Sequence, residues 1–303
     1  MANVLSKGTL FPAKLTNELF NKVKGRSALA ALSDSEPIPF TGKDLFTFSL
    51  DKEVDVLGEN AAKSNGGATL GTVSIKPVKI EYGARVSEEF IYAAEEVQLQ
   101  YLAAFADGFA KKAARGLDIM AFHGFNPRTK TASSDVIGNN HFDYAIPAAN
   151  AITMTDDGDD DMESAIAKIT GAEEDVTGIA MSPAFRSVLA AQVKQDGSRL
   201  FPELSWGAVP GAIHGLPVQV NSTVSFDNAT PVHKDRAIVG NFRDGFRWGY
   251  SKQIPMKVIQ YGNPDNDAEA GDLQGHNQVY LRCEAYLGWG ILIPEAFARI
   301  VAE

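Results

Sequence analysis

One apolar stripe limits how this chain can fold more than any other feature. Phe90, Ala94, Val97, Tyr101, Phe105 and Phe109 follow one another at steps of three or four, and Ala113, Leu117 and Met120 carry the stripe on. This is the repeat of one face of an α-helix. Ser87 is suited to the N-cap, and Glu88 and Glu89 complement the helix dipole in the first turn. Gly124 and Pro127 end the pattern. The spacing predicts one helix over 87–123, about 50 Å long at 1.5 Å per residue and well beyond the usual three or four turns. Gly108 and Gly116 lie inside it at a cost in stability, and read as points of close backbone approach or slight bending. On that reading a Gly108→Leu change damages packing along the helix.

The chain before this helix has no core of its own. Leu45-Phe46-Thr47-Phe48-Ser49-Leu50 is strand-like and Val54-Asp55-Val56 alternates. Val73-Ser74-Ile75 and Val78-Lys79-Ile80-Glu81-Tyr82 alternate on the far side of the stretch GENAAKSNGGATLG, residues 58–71. Two alternating arms around a Gly/Asn/Ser-rich tip predict a long β-hairpin. An isolated ribbon is marginally stable in water, so it belongs on another surface. Residues 1–40 read as an arm, with Leu15, Leu19 and Val23 along one side of a short helix. The arm too must lie on its own subunit or a neighbour.

From about residue 156 the pattern is compact α/β. Asp160 to Ala172 reads as a helix and Gly178–Met181 as a short strand. Ser182-Pro183 opens a second helix through Val193, with Ser at the N-cap and Pro in the first turn. Residues 215–220 and 237–240 read as strands, as do 278–293 and the last residues.

The glycine-rich stretch looks at first like a phosphate loop, and fails the comparison. That motif needs glycine directly before Lys-Ser and a second glycine five positions earlier. Here Ala62 precedes Lys63, Leu57 holds the earlier position, and a strand follows where a helix N-terminus would have to hold the anion. Ser49 and Lys52 match a bare Ser-x-x-Lys spacing, but third neighbours on a strand point to opposite faces. The five histidines, His123, His141, His214, His233 and His276, form no His-x-x-x-His pair and no Cys-His cluster. His123, near a helix end, reads as a dipole-complementing residue. The run Asp156-Asp157-Gly158-Asp159-Asp160-Asp161 lacks the Gly and Glu of a calcium loop and reads as a solvated turn capping the next helix. No nucleophile elbow or dinucleotide fingerprint appears. No catalytic, cofactor-binding or metal-binding residue is therefore assigned from the sequence, and an enzyme stays open because triads are assembled in space and not in sequence.

A net charge of −10 disfavours tight binding to nucleic acid, which draws on a basic surplus. The single Cys283 excludes an intrachain disulfide and suits a reducing cytosol. The N-terminus lacks the apolar core of a signal peptide, and no run of about 18 apolar residues suggests a membrane span.

An arm, a long hairpin, a very long helix, a compact α/β block and a return strand, in that order, resemble the major capsid proteins of tailed bacteriophages. Thr9-Leu10-Phe11-Pro12 with Leu19 resembles that family's arm. Val86-Ser87-Glu88-Glu89-Phe90 resembles the opening of its spine helix, and Gly124 the close. Met181-Ser182-Pro183-Ala184-Phe185, Ile213–Val218 and Val239-Gly240-Asn241-Phe242 resemble its axial domain, with Asn241 in place of the family's Asp. Asn277–Trp289 and Pro294–Phe297 are similar to its closing strand and tail.

The resemblance implies an α+β, Hong Kong 97-type fold with five parts. These are an N-terminal arm at 1–40, an extension loop at 41–85, and a peripheral domain at 86–155 containing the spine helix 87–123. An axial domain at 156–250 and return strands with a C-terminal tail at 251–303 complete it. It implies that the chain is no enzyme and self-assembles into hexamers and pentamers of an icosahedral head around double-stranded DNA, touched weakly and non-specifically. The setting would be the virion capsid, assembled in the bacterial host cytoplasm. Separate scaffolding and portal proteins are implied partners. Some relatives carry a helical scaffolding segment before the arm. This chain starts in the arm, so a separate scaffold or a processed form is expected. The implied assembly contacts are the loop tip (Gly58, Asn60, Lys63, Asn65, Gly66, Gly67 and Leu70) and the arm (Leu10, Phe11, Pro12, Leu15 and Leu19). Alternatives are an encapsulin-like compartment shell of the same fold, or a cytosolic hydrolase with a pocket of convergent polar groups.

Overall fold

The computed structural model of the protein describes residues 27–92, 95–226, 234–250 and 256–302. The arm residues Leu10, Phe11, Pro12, Leu15 and Leu19 lie outside the described residues.

A short helix α1 (Ala28–Leu32) leads into β1 (Lys43–Leu50), β2 (Ala68–Ile75) and β3 (Val78–Ser87). Two helical pieces follow, α2 (Glu89–Tyr92) and the 29-residue α3 (Glu95–His123). At 1.5 Å per residue α3 is about 43 Å long. The helix expected over 87–123 thus starts two residues later than its pattern suggested, at Glu89, and residues 93–94 between the two pieces lie outside the described residues. Ser87 still belongs to β3, paired with Gln278. From there its hydroxyl accepts the Glu89 N–H at 3.3 Å, a cap provided from the end of a strand.

The predicted hairpin is shorter than the alternating pattern implied. β1 and β2 pair antiparallel from Lys43↔Ile75 to Leu50↔Ala68. Val54-Asp55-Val56 carries no strand and lies in the loop between them. The stretch 78–82, read as the second arm, belongs to β3 and pairs with β11 (Gln278–Ile291). Pro77 separates the two roles, because proline cannot donate to a continuing ladder.

β11 is the axis of a four-stranded sheet. It meets β3 along residues 278–287, β10 (Met256–Ile259) along 280–283 and β9 (Phe246–Tyr250) along 287–291. Its odd-numbered side chains, Leu281, Cys283, Ala285, Leu287 and Trp289, pack in one core with Leu102, Phe109, Ala113, Leu117 and Met120 of α3. The apolar stripe of the helix is therefore covered from Leu102 onward. Nearer its start, Val97 and Tyr101 stay exposed within the subunit.

A six-stranded sheet forms the other layer, in the order β4 (Ala151–Thr153), β12 (Phe297–Val301), β8 (Asp235–Gly240), β5 (Gly178–Met181), β7 (Leu216–Val220), β6 (Ala212–Ile213). A four-residue helix α4 (Phe142–Ala145) precedes it. Helices α5 (Gly158–Thr170) and α6 (Pro183–Ala191) pack on this sheet through Ala165, Ile169, Phe185 and Leu189. The aspartate run caps α5 as read: Asp157 accepts the Asp160 N–H, and buried Asp161 takes the N–H and hydroxyl of Thr155. Ser182 caps α6 through the Phe185 N–H, with Pro183 in its first turn.

Two expectations about glycine need correcting. A Cβ added at Gly108 meets nothing within 4 Å among the described residues, so they make no close backbone approach there. Gly116 has only ordinary clearance, 3.6 Å from Pro127. No helix among the described residues is long and apolar enough to cross a membrane.

Candidate assembly interface

The β1–β2 ribbon has one covered root and one bare face. Opposite residues of an antiparallel pair share a face, so Phe46, Phe48 and Leu50 line one side of β1 and Leu70 stands across from Phe48 on the same side. All four are about two-thirds exposed or more, Phe46 at 71%. The opposite face lies on β11. A Cβ at Gly290 would stand 2.9 Å from Ile75 Cγ1 and 3.2 Å from Val73 Cγ1, so only glycine allows the ribbon this close. A run of large apolar side chains in water marks a surface to be covered, at roughly 25 cal/mol per Å² buried.

The loop beyond the ribbon closes at its neck. Asp51 N–H donates to the Gly67 carbonyl at 3.2 Å, and Gly67 N–H to Asp51 Oδ1 at 2.6 Å. Lys52 Nζ donates to the Asn65 carbonyl at 2.8 Å. Asn65, Gly66 and Gly67 are thus neck residues. Gly58 and Asn60 make the distal turn, with the Gly58 carbonyl accepting the Ala61 N–H at 3.1 Å and Asn60 at φ 67°. Lys63 is exposed between neck and turn, and Leu70 is a strand residue of β2. The loop returns into a strand with no helix N-terminus after it, so the phosphate-loop reading has no structural basis.

At the root of the arm, Asp118 on α3 gathers five donors. It accepts the Ser27 hydroxyl, the Ala28 N–H at 2.9 Å, the Leu29 N–H at 3.3 Å, the Thr223 hydroxyl at 2.9 Å and Asn221 Nδ2 at 3.2 Å. The group is wholly buried. Burial pushes its carboxyl above the ordinary value, and the converging donors pull the other way. The chain after α1 runs along β9, with Glu36 N–H on the Trp248 carbonyl at 2.9 Å and Ile38 N–H on the Tyr250 carbonyl at 3.2 Å.

Sequence reasoning missed a second polar centre. His123 ends α3 buried, its Nδ1 2.8 Å from Asp143 Oδ2 of α4 and 3.7 Å from Asp235 Oδ2 of β8. Its Nε2 faces the Thr223 carbonyl at 2.9 Å, and a carbonyl can only accept, so Nε2 carries a hydrogen. Arg299 of β12 stands 3.8 and 3.7 Å from the other oxygens of Asp143 and Asp235. The three possible metal-ligating atoms lie within 4.8 Å of one another, but the guanidinium already supplies positive charge there. The cluster acts as a staple between the end of the long helix and the six-stranded sheet. Its members are scattered along the chain, so no local spacing marks them.

A third centre shapes the loop before β11. Arg85 of β3 binds Asp265 through Nε at 2.9 Å and Nη2 at 2.6 Å, Asn263 Oδ1 at 2.8 Å, and the carbonyls of Ala270 and Gly271 at 3.0 and 2.9 Å. The guanidinium holds the Asp265 carboxyl down at about 2.

The phage capsid family model matches residues 7–302. A solved structure from Mycobacterium phage Ogopogo is 29% identical, with a TM-score of 0.76 over 92% of each chain. One from Gordonia phage Cozz is 26% identical, with a TM-score of 0.71 over 92% of this chain and 87% of that one. The capsid of an empty GTA particle shares the fold at 13% identity and a TM-score of 0.63, covering 91% of this chain and 90% of that one. No curated protein sequence matches.

Proposed function

The chain belongs to the phage capsid family and is a structural major capsid protein, and we propose that its copies join through the ribbon and the arm into hexamers and pentamers of an icosahedral head. The observation that carries this reading is the bare apolar face of Phe46, Phe48, Leu50 and Leu70 on a ribbon rooted only at one end. Two paired strands with that face in water are marginal alone. A neighbouring copy supplies the missing layer; Gly58, Asn60 and Lys63 reach furthest onto it, and Asn65, Gly66 and Gly67 contact it at the neck. The arm residues Leu10, Phe11, Pro12, Leu15 and Leu19 clasp a further copy. Each contact is modest, and the shell holds by summing many of them.

The head encloses double-stranded DNA, held weakly in view of the net charge of −10. Scaffolding and portal proteins are separate chains, and assembly takes place in the host cytoplasm. The chain carries no catalytic role in this reading.

The test is light scattering and electron microscopy of the purified protein, alone and co-expressed with its neighbouring genes. Shells or ring-shaped capsomers are expected. A variant lacking residues 53–64 spares the strands and the Asp51–Gly67 neck, and is expected to fold but not to close shells. Normal particles from it remove the loop from the interface. A small compact oligomer of the intact chain under every condition removes the ribbon and the arm as shell-forming contacts.

A further inference from the structure

The chain has three tryptophans. Trp248 and Trp289 are 1% exposed, whereas Trp206 is exposed at 105% of its reference area. Trp206 lies in a short 3-10 segment, Pro202–Gly207, after α6. Its backbone sits at φ 58°, ψ 24°, the left-handed region that bulky side chains rarely hold. The next residue, Gly207, is also left-handed at φ 79°.

The turn is firmly rooted. Phe201 and Leu204 are buried in the core of the six-stranded layer. Leu204 N–H donates to the Phe201 carbonyl at 3.2 Å, and Ala208 N–H to the Ser205 carbonyl at 3.1 Å. A buried root and a strained crest hold the indole away from the subunit that carries it. Beside it stands Arg186 of α6, whose Nη1 lies 3.3 Å from where a Cβ on Gly207 would be. Arg186 Nε is buried with no hydrogen-bond partner among the described residues.

Tryptophan and arginine are the residue types most enriched where a few side chains carry an interface. The chemistry of this pair narrows the partner. The indole projects instead of lining a hollow, so it fits a concave surface and not a small molecule. Exposed Glu203 is three residues away, and the whole chain is acidic, which works against a phosphate backbone. A protein surface offering an apolar socket and a carboxylate fits both groups. With 38 acidic against 28 basic residues, a second copy of this chain offers carboxylates in excess. Knob and socket are different surfaces, the head-to-tail arrangement that closes rings.

We propose that Trp206, with Arg186 beside it, is an anchor that inserts into an adjacent copy of this chain within a capsomer. The inference rests on the shell-forming reading above, and extends it to a contact away from ribbon and arm.

Fluorescence tests it, because the other two indoles are buried in the subunit itself. On passing from dissociated subunits to particles, wild-type emission should shift to the blue and acrylamide quenching should fall. Trp206→Asn keeps a residue that tolerates the left-handed backbone. Its subunits should melt at or above the wild-type temperature, yet need at least about tenfold more protein to form particles. Wild-type particles in which Trp206 stays as quenchable as in free subunits overturn the anchor alone. So does Trp206→Asn assembly at the wild-type concentration. An intact chain that forms no particle at all overturns the shell reading, and the anchor with it.

Discussion

Asp118, deep in the long helix, accepts the backbone N–H of Ala28 at 2.9 Å across ninety residues of sequence. The same carboxylate reaches Thr223 at 2.9 Å, so one side chain fixes the arm's root, the helix and the loop after β7 together. Asp118→Ala leaves several buried donors without an acceptor. It is expected to destabilise the subunit by about 3 kcal/mol or more, since each such donor costs 1–3 kcal/mol. Thermal or denaturant melting measures this, and a loss within error of zero would show that water replaces the carboxylate.

Gly108 faces open space on α3. Gly108→Ala should therefore stabilise the free subunit by about 1 kcal/mol, the helix-propensity difference. Gly108→Leu should not lower its melting temperature. If either change impairs particle formation while the subunit gains stability, the crowding comes from a neighbouring copy.

The Arg85–Asp265 pair sets a pH window. The folded carboxyl titrates at about 2 against an ordinary 3.8. A depressed acid contributes stability that is complete above the ordinary value and disappears as pH falls through the folded one. Order in loop 260–277 should thus hold from neutral pH to about 4 and fade toward 2. The Asp265 carboxyl resonance and amide exchange in this loop follow it. Titration near 3.8 would mean that the pair is not formed in solution.

Cys283 is 2% exposed, and burial pushes its thiol up to about 12. At pH 8 it should resist thiol reagents in the native subunit and react only as fast as the protein opens. Rapid labelling without denaturant would contradict its place in the core.

Much of the frame was legible because it follows local rules. The helical stripe located α3, the Ser182-Pro183 pair marked the start of α6, and the aspartate run marked the cap of α5. The ribbon's length was misjudged because alternation alone cannot tell a hairpin arm from a sheet strand. Val78–Tyr82 alternates in either setting, and only pairing with β11 decides. The covered extent of the stripe was equally hidden, since Val97 and Tyr101 fit the same pattern as Leu117. Of the candidate interface, the glycine-rich tip could be read from composition. That Leu70 joins Phe46, Phe48 and Leu50 on one face could not, because it depends on the Phe48↔Leu70 register. His123, Asp143, Asp235 and Arg299 come from separate elements, and Trp206 lies in a turn without a signature. Such sites exist only once the chain has folded.

The loop wrapped around Arg85 carries a practical consequence. Two of the oxygens that hold it are main-chain carbonyls, of Ala270 and Gly271, the second on a left-handed backbone at φ 57° that favours glycine. Ala268 and Glu269 stand exposed on the same loop, and neither side chain takes part in the hold on the guanidinium. The N–H groups of Glu269 and Ala270 donate to Asp267 Oδ1 at 2.9 and 3.1 Å, so the turn that sets the Ala270 carbonyl on the guanidinium closes across these two residues, and the loop should accept changed side chains here while refusing a change of length.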